Sequence, residues 1–409
     1  MSEAASIKNI LMITPWVPDE NGSGAHKRAA AHLKALTRNY RVHLLIFTNR
    51  SEIPASHLEW LGSLCVSVVI IPVPEAVRPA GIPPKAIIRE LLHSQLYREL
   101  PGGIWLPRAL NDLGATSFDA VFCFRISSAL LLNRMLRLTS ISTRRKIVDF
   151  DDIESISKKR SEKFVKAGTE LAIVNKIIYM RLKKIENDLL RTYQDVLVCS
   201  DLDKKLLQSR NATAVIHAIP NSVPLAPIVP PDPERPILHI LFVGSGHAPN
   251  RDGILWFCGD ILPLIRKQSQ LRCRLSIVGV DPGAEVLALA KLDDVIVTGG
   301  VESVAPYYND CDLVIAPIRF GAGTRIKILE AMSYQKPVVT TVIGAEGIEI
   351  EDGRNILLAD SPQDFARACI ALLENRGLRL RIGEEGRKCV EEKYSAQVVA
   401  DRLNQILHA

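Results

Sequence analysis

Short apolar runs recur along this chain. They fall at 10–13, 42–47, 66–73, 120–124, 147–150, 196–199 and 215–219, and again at 237–243, 275–278, 295–297, 313–316, 338–341 and 356–358. Most are rich in Val, Ile, Leu and Phe with little polar alternation, the pattern of strands buried on both faces. Between most of them stand segments with apolar residues at helical spacing, as at 26–36 and 127–138. Alternation of this kind predicts an α/β fold with parallel sheets covered by helices. The pattern runs seven times, pauses, and restarts, so it predicts two doubly wound, Rossmann-like domains. The pause, 220–236, carries seven prolines, too many for a helix or strand interior and suited to a semi-rigid connection. The expected division is 1–219, a linker at 220–236, and 237–394. Ligands in open α/β sheets bind beyond the carboxyl ends of the strands, and two such domains facing each other make a cleft.

The stretch 317–341, PIRFGAGTRIKILEAMSYQKPVVTT, holds the densest chemistry. It follows an apolar strand and turns through Gly321, Ala322 and Gly323 into a helix expected to open at about Thr324. Glycines let a ligand approach the backbone, and the first amides of a helix are unpaired donors in a positive field. Thr324, Lys327 and Glu330 recur every third residue, which on a helix lines up a hydroxyl, a cation and a carboxylate. A nucleoside diphosphate needs that order: phosphates at the helix start, a positive charge beside them, and an acceptor for ribose hydroxyls. The competing reading of Lys327 is a solvated helix lysine.

Two further Gly-x-Gly turns, Gly22–Gly24 and Gly244–Gly246, follow the first strand of each half. Tight packing explains one such turn as readily as phosphate binding does. A dinucleotide fingerprint would need a small residue three after the second glycine, where Lys27 and Pro249 stand, and an acid after the next strand, where Phe47 and Thr48 sit. That argues against nicotinamide or flavin binding.

Composition narrows the class. The 409 residues are 47% hydrophobic, enough for two domains with proper cores. No apolar run reaches membrane-span length, and the N-terminus lacks a signal-peptide pattern. Eight scattered cysteines without close pairs read as reduced, buried thiols of a cytosolic protein. The net charge of +6 is uneven: 1–219 holds 31 Lys and Arg against 21 Asp and Glu, a surplus of 10, whereas 220–409 has a deficit of 4. The front half is therefore expected to favour anionic surfaces. No basic motif interleaved with aromatics points to nucleic acid.

The GSGAHKR loop, IPNSV at 219–223, LFVGSGHAPNRDGILWF at 241–257, and above all the block from IVGVDP through VIVTGGV, DLVIAPIRFGAGTRIKILEAM and KPVVTT to GAEGI resemble a GT-B nucleotide-sugar glycosyltransferase of the family-4 type. The resemblance covers essentially the whole chain. It implies a donor bound mainly by the C-terminal domain and an acceptor bound mainly by the N-terminal one. A last helix, 395–409, would return to the first domain with Val398, Val399, Leu403 and Ile406 as its packing stripe. It further implies transfer with retention, no metal and no resident cofactor. Residue by residue, Glu330 matches the ribose-binding carboxylate, Gly321–Thr324 the sugar-and-phosphate loop, and Gly24 the front-domain loop facing the diphosphate. Gly300 and Val301 match the strand end that reads the base, and Gly246 lies in the donor-domain glycine loop.

Two departures stand out. The family's second glutamate, eight residues before the ribose-binding one, is Ala322 here, and of an Arg/Lys pair after the first donor-domain strand only Arg251 remains. Lys327 is the natural replacement for the missing charge, set to stabilise the β-phosphate as the sugar–phosphate bond breaks. On the acceptor side, Asp149, Asp151 and Asp152 stack at a strand end. They suit orienting or deprotonating an acceptor hydroxyl, and Asp151 or Asp152 equally suits capping the next helix. Arg125 suits either acceptor phosphate or neutralising these aspartates, while His26 and His247 are minor candidates for donor contact. Basic amphipathic segments at 84–110, with Tyr97 and Trp105, and at 157–191 suit an anionic membrane surface carrying a lipid-linked acceptor, or simply surface helices with their charges in water. The expected function is hexosyl transfer from a nucleotide sugar to a glycan or lipid-linked acceptor, at the inner face of the cell membrane, in cell-surface polysaccharide synthesis. The alternatives are a nucleotide-sugar-binding protein without catalysis and a sugar-nucleotide epimerase.

Overall fold

The computed structural model describes residues 8–48, 53–72, 111–161, 170–229, 237–269, 271–321 and 323–408. The expected basic segment 84–110, the linker's second half and Ala322 lie outside them. The chain divides into two units, Met1–Ile219 with Ala400–Ala409, and Pro220–Val399.

The first unit is built on seven strands: β1 (Asn9–Thr14), β2 (Arg41–Thr48), β3 (Ser67–Pro72), β4 (Ser117–Phe124), β5 (Ser142–Asp149), β6 (Asp195–Val198) and β7 (Ile216–Ala218). They pair in parallel in the order β3-β2-β1-β4-β5-β6-β7. Ile10 aligns with Val42 on one side and Ala120 on the other. β1 is buried from Ile10 to Thr14, which explains its uninterrupted apolar sequence. Helices α1 (Gly24–Thr37), α2 (Ala55–Leu64), α3 (Arg125–Leu138), α4 (Glu154–Ser161), α5 (Glu170–Thr192) and α6 (Asp201–Gln208) join the strands. The basic segment 157–191, expected as one long helix or two, is described as helix over Glu154–Ser161 and Glu170–Thr192, on either side of 162–169. The strand order reverses between β1 and β4, so the loops after these strands flank the topological switch point where such sheets bind ligands.

The second unit repeats the plan with β8 (Leu238–Val243), β9 (Cys273–Val278), β10 (Val295–Gly299), β11 (Leu313–Ala316), β12 (Val338–Thr340) and β13 (Leu357–Leu358), all parallel, in the order β10-β9-β8-β11-β12-β13. Alternate residues feed two cores. Ile240, Phe242, Leu313 and Ile315 enter one, and Leu241, Val314 and Ala316 the other. This is the period-two geometry of a sheet buried on both faces. The helices are α7 (Ala248–Trp256), α8 (Leu262–Gln268), α9 (Gly283–Leu287), α10 (Ala305–Asp310), α11 (Ile326–Ser333), α12 (Pro362–Glu374) and α13 (Arg376–Lys393). Here the switch point lies between β8 and β11, and the two glycine turns of this half follow those two strands.

A last helix, α14 (Ala396–His408), buries Val399, Ala400, Leu403 and Leu407, with Val398 and Ile406 only partly covered. Its stripe is therefore turned by about one position from the expected one. Arg145 donates to the carbonyls of Ile406 (2.9 Å) and Leu407 (3.4 Å) near its end, where unpaired carbonyls favour a cation. Asp195 holds that guanidinium at 2.7 Å.

Candidate functional site

In the second unit, the backbone of the 321–325 turn is set by two glycines. Gly321 (φ 126°) and Gly323 (φ 76°) occupy conformations that side chains resist. Arg325 precedes α11 with extended backbone, φ −82° and ψ 94°. The helix consequently opens at Ile326, two residues later than expected, and Thr324 is not on its edge. Its Oγ1 is buried in the turn with no hydrogen-bond partner among the described residues. Ile326, Ile328, Leu329, Ala331 and Met332 turn into the core, leaving Lys327 and Glu330 on the half-buried edge.

Lys327 Nζ donates to Asn250 Oδ1 at 2.6 Å and lies 4.7 Å from the centroid of the Phe242 ring. Asn250 Nδ2 donates in turn to the Ser245 carbonyl at 2.9 Å. The lysine thereby ties the turn after β11 to the turn after β8. Burial, then the Arg325 cation, push its ammonium down to about 7, against the opposing pull of Glu330. Glu330 lies one turn further, where the Tyr308 hydroxyl approaches its Oε2 at 3.4 Å. Tyr308 is fully buried and stacked on Tyr334 at 4.9 Å.

The other donor-side residues differ in what surrounds them. A Cβ on Gly246 would fall 1.7 Å from the Asp281 carbonyl oxygen, so close backbone packing by itself requires glycine there. Arg251 is exposed and pairs loosely with Glu285 at 3.7 Å. Gly300 and Val301 directly follow β10, with Gly300 against Val280. His247 precedes α7 and makes no side-chain cap. A crevice beside the β8 turn is lined by Gly244, Ser245, Asn250, Arg251, Gly279 and Pro282.

In the first unit, the three aspartates are not equivalent. Asp149 is fully buried, gripped by Arg28 Nε (2.8 Å) and Nη2 (3.0 Å) and by His32 Nε2 (2.7 Å), one turn apart on α1. Burial alone would raise its carboxyl, but the Arg28 charge and the His32 bond outweigh that and hold it well below the usual range. Burial and the Arg28 cation push His32 down, so it serves Asp149 as a neutral donor. Asp149 is a structural anchor, which also receives the Asp151 amide at 2.8 Å. Asp151 is itself buried and pairs with Arg125 at 2.9 Å, whereas Asp152 is more open and 3.7 Å from the same guanidinium. Glu154 opens α4 about 4.0 Å from Arg125, and burial pushes its carboxyl up. Gly24 is the exposed first residue of α1, and His26 Nδ1 meets Ser23 Oγ at 2.8 Å.

Asn250, Tyr308 and Glu154 carry no motif by which the sequence alone would single them out. For the buried carboxylate, the spacing of Arg28 and His32 along one helix face is a visible signal of a shared partner.

Residues 238–375 match the family described as glycosyl transferases group 1. Sucrose-phosphate synthase from Thermosynechococcus elongatus superposes with a TM-score of 0.68 at 15% identity over 98% of both chains. Anabaena HepE, solved with UDP and glucose, superposes at 0.64 and 13% identity over 98% of this chain and 100% of its own. The fold is GT-B. Among curated sequences, an uncharacterized 44.6 kDa protein in the cps region of Klebsiella pneumoniae is 26% identical over 170 residues, 39% of this chain and 44% of its own. The capsular polysaccharide biosynthesis glycosyltransferase CapM of Staphylococcus aureus is 26% identical over 132 residues, 30% and 33% respectively. The chain spans less than half the length of these curated relatives. The switch point of the second GT-B unit, where Lys327 and Glu330 stand, falls within the matched residues. All eight cysteines are free and seven are buried. Among the described residues no helix is long and apolar enough to cross a membrane.

Proposed function

We propose that this GT-B chain is a glycosyltransferase that moves a hexosyl group from a nucleoside-diphosphate sugar to a glycan or lipid-linked acceptor, with retention and without a metal. The observation that carries the reading is Lys327, its ammonium held at the switch point of the second unit with Glu330 one turn on. Glu330 would accept from the ribose hydroxyls. Thr324 Oγ1, a buried hydroxyl without a partner among the described residues, would meet the diphosphate. Lys327 would neutralise the β-phosphate as its bond to the sugar carbon breaks and the acceptor oxygen bonds that carbon, the acceptor proton passing to the departing diphosphate. Charge held in place before the reaction begins usually lowers such barriers more than any other single effect.

HepE's complex with UDP and glucose supports a UDP-sugar as the first donor to test. The CapM likeness supports a role in cell-surface polysaccharide synthesis. In the first unit, Asp152 is the carboxylate best placed to orient an acceptor hydroxyl, since Arg125 occupies Asp151. The basic last turn of α4 (Lys158, Lys159, Arg160) and exposed Ile173 and Met180 on α5 favour attachment to the anionic inner face of the cell membrane.

The deciding experiment is thermal shift against UDP-, GDP- and ADP-sugars, followed by slow donor hydrolysis without acceptor. A hundredfold ligand excess over the dissociation constant adds about 2.7 kcal/mol. Stabilisation without hydrolysis or transfer would favour the second reading, a nucleotide-sugar-binding protein without catalysis, which Ala322 in place of glutamate suggests. Interconversion of the sugar would mark an epimerase, and indifference to every sugar nucleotide would end the proposal.

A further inference from the structure

Asn250 has no part in the chemistry described so far, yet its surroundings are built around it. Its Nδ2 donates to the Ser245 carbonyl, which decides which end of the carboxamide is oxygen and turns Oδ1 to Lys327 Nζ. A Cβ on Gly244 would lie 2.8 Å from that Nζ and 3.0 Å from Asn250 Cγ. The turn after β8 therefore packs closely over the lysine–amide pair, and a side chain at 244 would have to displace it. Below lies the Phe242 ring. The lysine nitrogen is thus seated against a neutral acceptor and an aromatic face, and Asn250 takes one of its N–H groups.

Resting on the nucleotide reading above, we propose that Asn250 is a positioning residue that holds Lys327 against a neutral partner, so that the lysine takes up a proton as a diphosphate arrives. The charged groups acting on Lys327 are Arg325, which opposes its protonation, and Glu330, which favours it. From β8 and α7 come Phe242, Gly244 and Asn250, none of which titrates, while Arg251 pairs with Glu285. An aspartate at 250 would instead keep the lysine charged in the empty site. The depression of Lys327 to about 7 agrees with this arrangement. Diphosphate affinity should then weaken by up to tenfold per pH unit above that value.

The test needs no turnover. In protein carrying 13C at the lysine ε-carbon, with Lys327 assigned by its loss in Lys327→Arg, the resonance of the empty wild type should titrate near neutrality. In Asn250→Asp it should titrate at least one pH unit higher, and in Asn250→Ser, which keeps a neutral partner, it should stay below an ordinary lysine. Calorimetry with UDP, then GDP and ADP, at pH 8 in buffers of different ionisation enthalpy should show proton uptake in wild type and much less in Asn250→Asp. A wild-type Lys327 titrating as an ordinary lysine, or one unmoved by Asn250→Asp, overturns the positioning role whatever the nucleotides do. A resonance that moves as stated while none of the three diphosphates binds overturns the nucleotide reading and the proton uptake with it.

Discussion

Arg125 and Asp151 face each other across the ends of β4 and β5, 2.9 Å apart, and both hold left-handed backbone at φ 74° and 57°. Two such residues bonded to each other are uncommon, because each costs on the order of 1 kcal/mol or more. Strain of this kind clusters at binding sites, and here it fixes the floor on which Asp152 and Glu154 stand. Asp151→Asn keeps a residue tolerant of that backbone and removes only the charge. It should lower unfolding stability by about 2 kcal/mol, the worth of a hydrogen bond to a charged group, because Arg125 loses its nearest carboxylate while Asp152 and Glu154 remain within 4.0 Å of it. Denaturant midpoints at constant slope would measure it, and an unchanged midpoint would show that the pair contributes nothing.

The three aspartates should separate in one assay at saturating donor. Asp152→Asn should reduce turnover at least tenfold with little change in melting temperature, whereas Asp149→Asn should mainly destabilise the fold. Equal turnover in all three variants and wild type would remove carboxylates from the acceptor chemistry.

His32 predicts an acid limb to stability. Its folded pKa lies below the ordinary 6.5, so as pH falls through that value the unfolded chain binds a proton that the folded one resists. Stability should therefore decline below about pH 6.5. The depressed Asp149 acts further down, its contribution present above the ordinary carboxylate range and lost below it. His32→Gln, which can still donate to Asp149, should flatten melting temperature between pH 5 and 6.5 while leaving the lower limb in place.

Lys327→Met should slow transfer about a hundredfold, equivalent to about 3 kcal/mol in the barrier. Turnover within a few-fold of wild type would exclude the phosphate role. The same variant carries a stability signature of the same sign as that of His32, displaced to alkaline pH. A lysine with a depressed folded pKa penalises the fold when charged, so that penalty is relieved as pH rises from about 7 toward the ordinary 10.5. The rise in melting temperature over that window should vanish in Lys327→Met.

Co-sedimentation with anionic vesicles should be strong at low salt and fall as ionic strength rises, and charge reversal at Lys158 and Lys159 should weaken it. No sedimentation at low salt would remove the membrane from the functional picture.

A run at each strand was legible in the chain because the buried part of a strand covered on both faces must be apolar, a demand met within a few neighbouring residues; the polar first half of β5, Ser142–Lys146, carried no such signal. The helical spacing, the restart of the pattern after 220–236, and the ordering of Lys327 and Glu330 were legible for the same local reason. What needed tertiary structure depends on strands adjacent in space and distant in sequence. Placing β1 beside β4, with β5 next, carries α1 over the sheet so that Arg28 and His32 lock Asp149, and the more open carboxylate becomes Asp152. Setting β8 beside β11 brings Asn250 to Lys327 across 77 residues. Sequence periodicity reports which face of an element is buried. It is silent on which polar groups meet at the ends of strands that only folding makes neighbours.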